Sequence, residues 1–221
     1  MNTFEILVHH RQEFLQGLWV TLKLCMLIWP IGIVAGTALG VAGAKWPQAI
    51  GVPSRICSFV LSGIPVLVFL FWLHYPLQSY FHVVIHPFYT AAAALSIVNT
   101  LLVTDLIRGV LNDFPTQYIM AARVCGLTHR ETVLHIQLPI VFRQVLPSLL
   151  SILVSMLQAT LFASLISVDE IFRVAQRVNS QVYRPVEIYT ALALLFLVVC
   201  LPLHGLAHLL KERFTRNLSE R

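Results

Sequence analysis

Residues 56–104 contain not one Asp, Glu, Lys or Arg. No other feature restricts the possible folds so strongly. A soluble domain averages about 25% charged residues, whereas a helix crossing a bilayer needs about 20 largely apolar ones. The charge-free run has room for two such helices, at about 55–74 and 88–108, with a turn marked by Pro76 and by His86-Pro87. Over all 221 residues, 57% are hydrophobic and 11% charged, and the mean hydropathy is +0.79. The class expected is an all-α integral membrane protein.

Three further apolar stretches complete a set of five spans, at 17–44, 146–168 and 188–210. The first carries Pro30 and then Gly32, Gly36 and Gly40, a small-residue ridge that lets another helix approach closely. Lys23 lies near its start, within reach of the interface by snorkelling. Lys45-Trp46-Pro47 ends it. The organisation expected is an amino end 1–16, one transmembrane domain 17–210 and a basic tail 211–221. The amino end is polar and mixed in charge, unlike a secretory signal.

Orientation follows from the distribution of basic residues. One side collects Lys45, Arg55, Arg123, Arg130, Arg143, Lys211, Arg213, Arg216 and Arg221; the other has Arg11, Arg173, Arg177 and Arg184. The first side is therefore expected to be cytoplasmic, with the amino end outside. The net charge of +5 gathers beside membrane segments rather than on one patch, so nucleic acid is not an expected partner. Cys25, Cys57, Cys125 and Cys200 are far apart, without CxxC or metal-type spacing, and read as small buried hydrophobes.

The polar stretch 113–147, on the cytoplasmic side, has the signals of a helix, a corner and a second helix. Pro115 suits a helix start, and Gly126 suits the left-handed residue that stops one. Thr128-His129-Arg130-Glu131 has capping-box spacing. The second helix is expected to end near Leu138, where Pro139 follows.

Inside the spans the polar residues are few. Asp105 and Arg108 stand three apart on one helix face and can pair, serving either a gate or helix packing. Asn99, Gln158 and Thr160 are open to substrate contact or to interhelical hydrogen bonds. His82/His86 and His204/His208 stand at i, i+4 spacing and could chelate a metal, but no HExxH, GxSxG or Walker A sequence accompanies them.

Ala121-Ala122-Arg123-Val124-Cys125-Gly126-Leu127, followed by Leu138-Pro139 and Arg143, resembles the "EAA…G…LP" loop of ABC importer permeases, with Met120 at the glutamate position. Asn99…Thr104-Asp105-Leu106-Ile107-Arg108-Gly109 resembles the "N…ExxRG" stretch of polar amino acid permeases. Ser62-Gly63-Ile64-Pro65-Val66 stands where that family usually has Arg-Gly-Thr-Pro-Leu, and Gln158-Ala159-Thr160-Leu161 where it often has Lys-Asp-Thr-Ser. A helix irregularity is expected at Gly63 and Pro65. The segments 169–176 and 183–189 are similar to the outer loop and fifth-span entry of histidine-, glutamine- and arginine-type importers.

The resemblance implies a type I ABC importer permease fold in a bacterial inner membrane, paired with a second permease subunit, identical or paralogous. It implies that an ATPase dimer, which would bind ATP and Mg, docks on a loop containing Ala121, Ala122, Arg123, Gly126, Leu127, Thr128, Glu131 and Pro139. No cofactor is expected on this chain, and hydrolysis belongs to the ATPase. Asn99, Gln158, Thr160, Ile64 and Pro65 are implied pathway residues. An extracytoplasmic solute-binding protein would meet Asp169, Glu170, Arg173, Gln176 and Arg184. Two alternatives stay open: a membrane enzyme built on the histidines, and a degenerate partner half that does not translocate.

Overall fold

The computed structural model describes residues 8–219. Parts of the amino end 1–16 and of the tail 211–221, including Arg221, lie outside the described residues. The described residues are helical throughout, joined by short turns. Helix α1 spans Arg11–Lys45 and runs through Pro30 without a break. Trp46 leaves helical geometry, and Pro47 opens a π turn, Pro47–Gly51, that leads into α2, Val52–Ser62.

The second span is two helices. At Gly63-Ile64-Pro65 the chain bends by 96°, and α3 resumes at Val66–His74, followed by the short α4, Pro76–Tyr80. Pro65 cannot donate the amide that would carry a helix through, so the break falls there. Helix α5, Pro87–Asn112, is capped by the His86 imidazole, whose Nδ1 accepts from the Phe88 amide at 3.3 Å. Among the described residues four helices are long and apolar enough to cross a membrane, or five if the bent pair counts as one span.

The polar stretch 113–147 holds α6, Thr116–Val124, and α7, His129–Thr132. The α7 helix does not stop at Leu138, contrary to the sequence expectation. A π turn, Val133–Gln137, joins it to α8, Leu138–Ala159, and a 3-10 segment, Thr160–Ile166, extends that helix further. The physical reason is the wide turn: the Leu138 amide bonds to the Val133 carbonyl, five residues back, and Pro139 then sits in a first turn, where its missing N–H costs least. Ser167, at φ +73°, breaks the rod. Helix α9, Ile171–Val182, precedes the long α10, Pro185–Ser219.

The core forms where small residues allow close approach. Gly32, Gly36 and Gly40 of α1 face Asn99, Val103 and Ile107 of α5, the same four-residue step on both helices. A Cβ at Gly36 would lie 2.6 Å from Val103 Cβ, so only glycine permits this spacing. Leu24, Ile28, Leu70, Leu95, Met156 and Ala163 close around the outer half of this seam. Helix α9 buries Ile171, Val174, Ala175 and Val178 against α1 and against Ile188 and Leu192 of α10.

Candidate functional site

The elbow between α5 and α8 is assembled from its caps. At the end of α6 the Leu127 amide donates to the Ala122 carbonyl at 3.1 Å and the Gly126 amide to Arg123 at 3.0 Å. This paired closure needs a left-handed residue, which Gly126 supplies at φ +78°. The following helix starts on a reciprocal cap. The Glu131 amide donates to Thr128 Oγ1 at 3.3 Å, and the Thr128 amide to Glu131 Oε2 at 2.8 Å. Phe114, Tyr118 and Ile119 hold the elbow against Val103, Ile107, Val141 and Val145 at the base of α5 and α8.

The outer side of the elbow is open. Ala121, Arg123, Gly126, Thr128, Glu131 and Pro139 are exposed and Leu127 is half-buried. Ala122 is buried, so its part in any docking is to seat α6 rather than to touch a partner. Met120 and Val124 are 64% and 89% exposed, which leaves an apolar face turned outward.

Asp105 and Arg108 pair, as their spacing allows. Sequence reading missed the rest of this cluster. Arg108 Nη1 also donates to the Gly51 carbonyl at 3.0 Å and to Ser54 Oγ at 2.9 Å, tying α5 to the π turn and to α2. A serine and a glycine carbonyl more than fifty residues away leave no trace in the local sequence of α5.

Two expected pathway residues are buried in this structure. Asn99 has no exposed surface, and its Nδ2 donates to the Ile28 carbonyl at 2.9 Å, which makes it a clasp between α1 and α5. Thr160 is equally buried, its hydroxyl turned back to the Leu157 carbonyl at 2.7 Å. Gln158 is exposed, while Ile64 and Pro65 line a cavity of about 580 Å³ between α2, the bend, α3, α5 and α8. Arg55, Ser58, Asp105 and Arg108 also line it.

On the other side of the membrane domain, Asp169 pairs with Arg173 Nε at 3.2 Å and with Arg177 at 3.4 Å, and Arg177 reaches Glu13 at 3.5 Å. Arg184 pairs with Glu187, and Gln176 is half-buried on α9. Glu170 does not lie on the surface beside them. It is fully buried and caps α9 from inside, accepting from the Arg173 amide at 2.9 Å, and its Oε2 has no partner among the described residues. Burial pushes its pKa up to about 7, against the opposing pull of the Phe172 and Arg173 amides.

The two histidine pairs differ in geometry, and only His204 and His208 stand on one helix. His82, at φ +52°, lies in a turn and His86 caps α5, so helical i, i+4 geometry does not apply to them. His208 of α10 faces Glu212 at 3.6 Å. Among the described residues no three His, Cys, Asp or Glu side chains gather as a metal site.

The family model described as "binding-protein-dependent transport system inner membrane component" matches residues 30–216. The octopine transport system permease protein OccM of Rhizobium meliloti is 28% identical over 193 residues, spanning 84% of this chain and 79% of that protein. The histidine/lysine/arginine/ornithine transport system permease protein HisQ of Salmonella typhimurium is 27% identical over 213 residues, spanning 91% and 92%. A crystal structure of an amino acid ABC transporter with histidines matches with a TM-score of 0.83 at 26% identity, over 94% of this chain and 96% of its own.

Proposed function

The chain belongs to the binding-protein-dependent transport system inner membrane components, and on that premise we propose that it carries an amino acid across the membrane and couples that step to ATP hydrolysis through the elbow. It is an inner-membrane, multi-pass permease subunit of an ABC importer, a type that works with a second permease and an ATPase. The remaining assignments are our reading. The amino end lies outside, the elbow faces the ATPase dimer, and a loaded solute-binding protein meets the exposed Asp169 and Arg184 and the half-buried Arg173 and Gln176. ATP and Mg are held by the ATPase. Asp105–Arg108, joined to Gly51 and Ser54, closes the cytoplasmic end of the cavity.

The observation that carries the coupling role is the elbow itself: a doubly capped corner, exposed outside and packed inside onto two spans. A push on it reaches α5 and α8 through packed side chains rather than through a loose loop. The amino acid assignment is supported by the names of the relatives and by the near-complete overlap with the amino acid transporter.

Gly126→Asp provides the test. A Cβ there meets nothing within 4 Å, and Asp tolerates left-handed backbone, so the corner should survive while its outer surface gains a charge. The expected result is loss of the ATPase from the purified complex. Retention of the ATPase, with hydrolysis still stimulated by loaded binding protein, would refute the docking role. Met120, exposed at the family's glutamate position, favours the degenerate half as second reading; it predicts an intact wild-type complex without stimulation.

A further inference from the structure

We propose that the cavity beside the helix bend selects an amino acid with an uncharged, apolar side chain, its carboxylate held by Arg55; this rests on the importer reading above. The cavity is elongated. Its α5 wall runs from Val98 to Arg108, ten residues or about 15 Å of helix, and the two ends differ in chemistry.

The polar end has Arg55, Ser58, Asp105 and Arg108. Arg108 is engaged by Asp105, the Gly51 carbonyl and Ser54. Arg55 is exposed and has no partner among the described residues. Ser58 has its Oγ buried with no hydrogen bond among them. The paired charges cancel, so this end presents one net positive charge and a spare hydroxyl, the complement of a carboxylate.

The other end is walled by Val66, Phe69, Val98, Leu102 and Met156. Asn99 is engaged by the Ile28 carbonyl and Thr160 by its own helix, and the hydroxyl of Ser62, which also lines the cavity, donates to the Phe59 carbonyl at 2.8 Å. A charged side chain entering here would lose water and find no counter-charge. An aliphatic, aromatic or thioether side chain would lose nothing. HisQ, by its name, belongs to a system for histidine, lysine, arginine and ornithine; the walls described here suit a different class of side chain.

The test is direct binding to the permease–ATPase complex in lipid nanodiscs, without binding protein, so that only the membrane cavity selects. Radiolabelled L-methionine, L-leucine, L-lysine and L-glutamate are the probes. Methionine and leucine should bind at least tenfold more tightly than lysine and glutamate. Arg55→Gln should weaken methionine binding at least tenfold. Leu102→Asp, at a partly exposed wall position, should shift the ratio towards lysine at least tenfold. Equal binding of lysine or glutamate by the wild type, or unchanged methionine binding by Arg55→Gln, would overturn the proposal. No binding of any probe, with binding-protein-stimulated ATP hydrolysis intact, would also overturn it and leave the importer reading standing. Loss of both would remove the reading beneath it.

Discussion

Gly32→Ala puts the α1–α5 seam under the most direct stress. A Cβ at that position would lie 2.1 Å from Nδ2 and 2.4 Å from Cγ of Asn99. Asn99 cannot swing clear without giving up its 2.9 Å bond to the Ile28 carbonyl. Overpacking costs about 1–3 kcal/mol, and an interhelical hydrogen bond in a membrane contributes about 0.6–1.7 kcal/mol. The better helix propensity of alanine offsets about 1 kcal/mol. The net expectation is destabilisation by about 2 kcal/mol, read from reversible unfolding in mixed detergent micelles. The double variant Gly32→Ala/Asn99→Ala is the control, because removing the carboxamide relieves the two shortest contacts and leaves only the Cβ of residue 99, at 2.8 Å, for a small helix shift to absorb. It should be more stable than the sum of the single variants by about 2 kcal/mol. A Gly32→Ala protein within about 0.5 kcal/mol of wild type, or a strictly additive pair, would refute the reasoning.

Arg108→Ala should cost about 3 kcal/mol, since three partners lose their donor at once; Asp105→Asn should cost about 1 kcal/mol, because Asp105 is 41% exposed and the amide keeps an acceptor. Thermal unfolding in detergent would show the order, and the reverse order would count against the clamp. Gly126→Ala should cost about 1–2 kcal/mol from backbone conformation alone, with Gly126→Asn costing less; equal losses would point to a steric cause. Glu170 has a folded-state pKa of about 7, raised from 4.5. Its contribution to stability is therefore full below about pH 4.5 and is lost as pH rises through 7, by up to about 3 kcal/mol. Glu170→Gln should flatten the stability profile between pH 5 and 8, and an unchanged slope would place the titration elsewhere.

The spans and the elbow were legible because their signals are local. Pro65 follows Gly63 by two residues, and the bend falls between them. Gly126 and the Thr128–Glu131 pair specify their caps within a few residues. Pro139 misled because a proline breaks a helix only where its amide is needed, and the π turn before it removes that need. Asn99 and Glu170 misled differently: a polar residue in an apolar run reads as functional until its partner is known. The partner of Asn99 is a carbonyl at Ile28, and Glu170 caps its own helix while buried against α1. The cavity's single unpartnered cation, Arg55, emerged only once α5 was seen to spend Arg108 on Gly51 and Ser54.

The unbroken run His129–Ile166 has 38 residues, so it measures about 57 Å from end to end. A stiff beam of that length converts a tilt of about 5° at its foot into a sweep of about 5 Å at its head. Ser167, held at φ +73° directly beyond the tip, is then the joint where such travel has to be taken up. Stiffening or loosening that one residue should alter how far the outer mouth moves without touching the machinery that moves it.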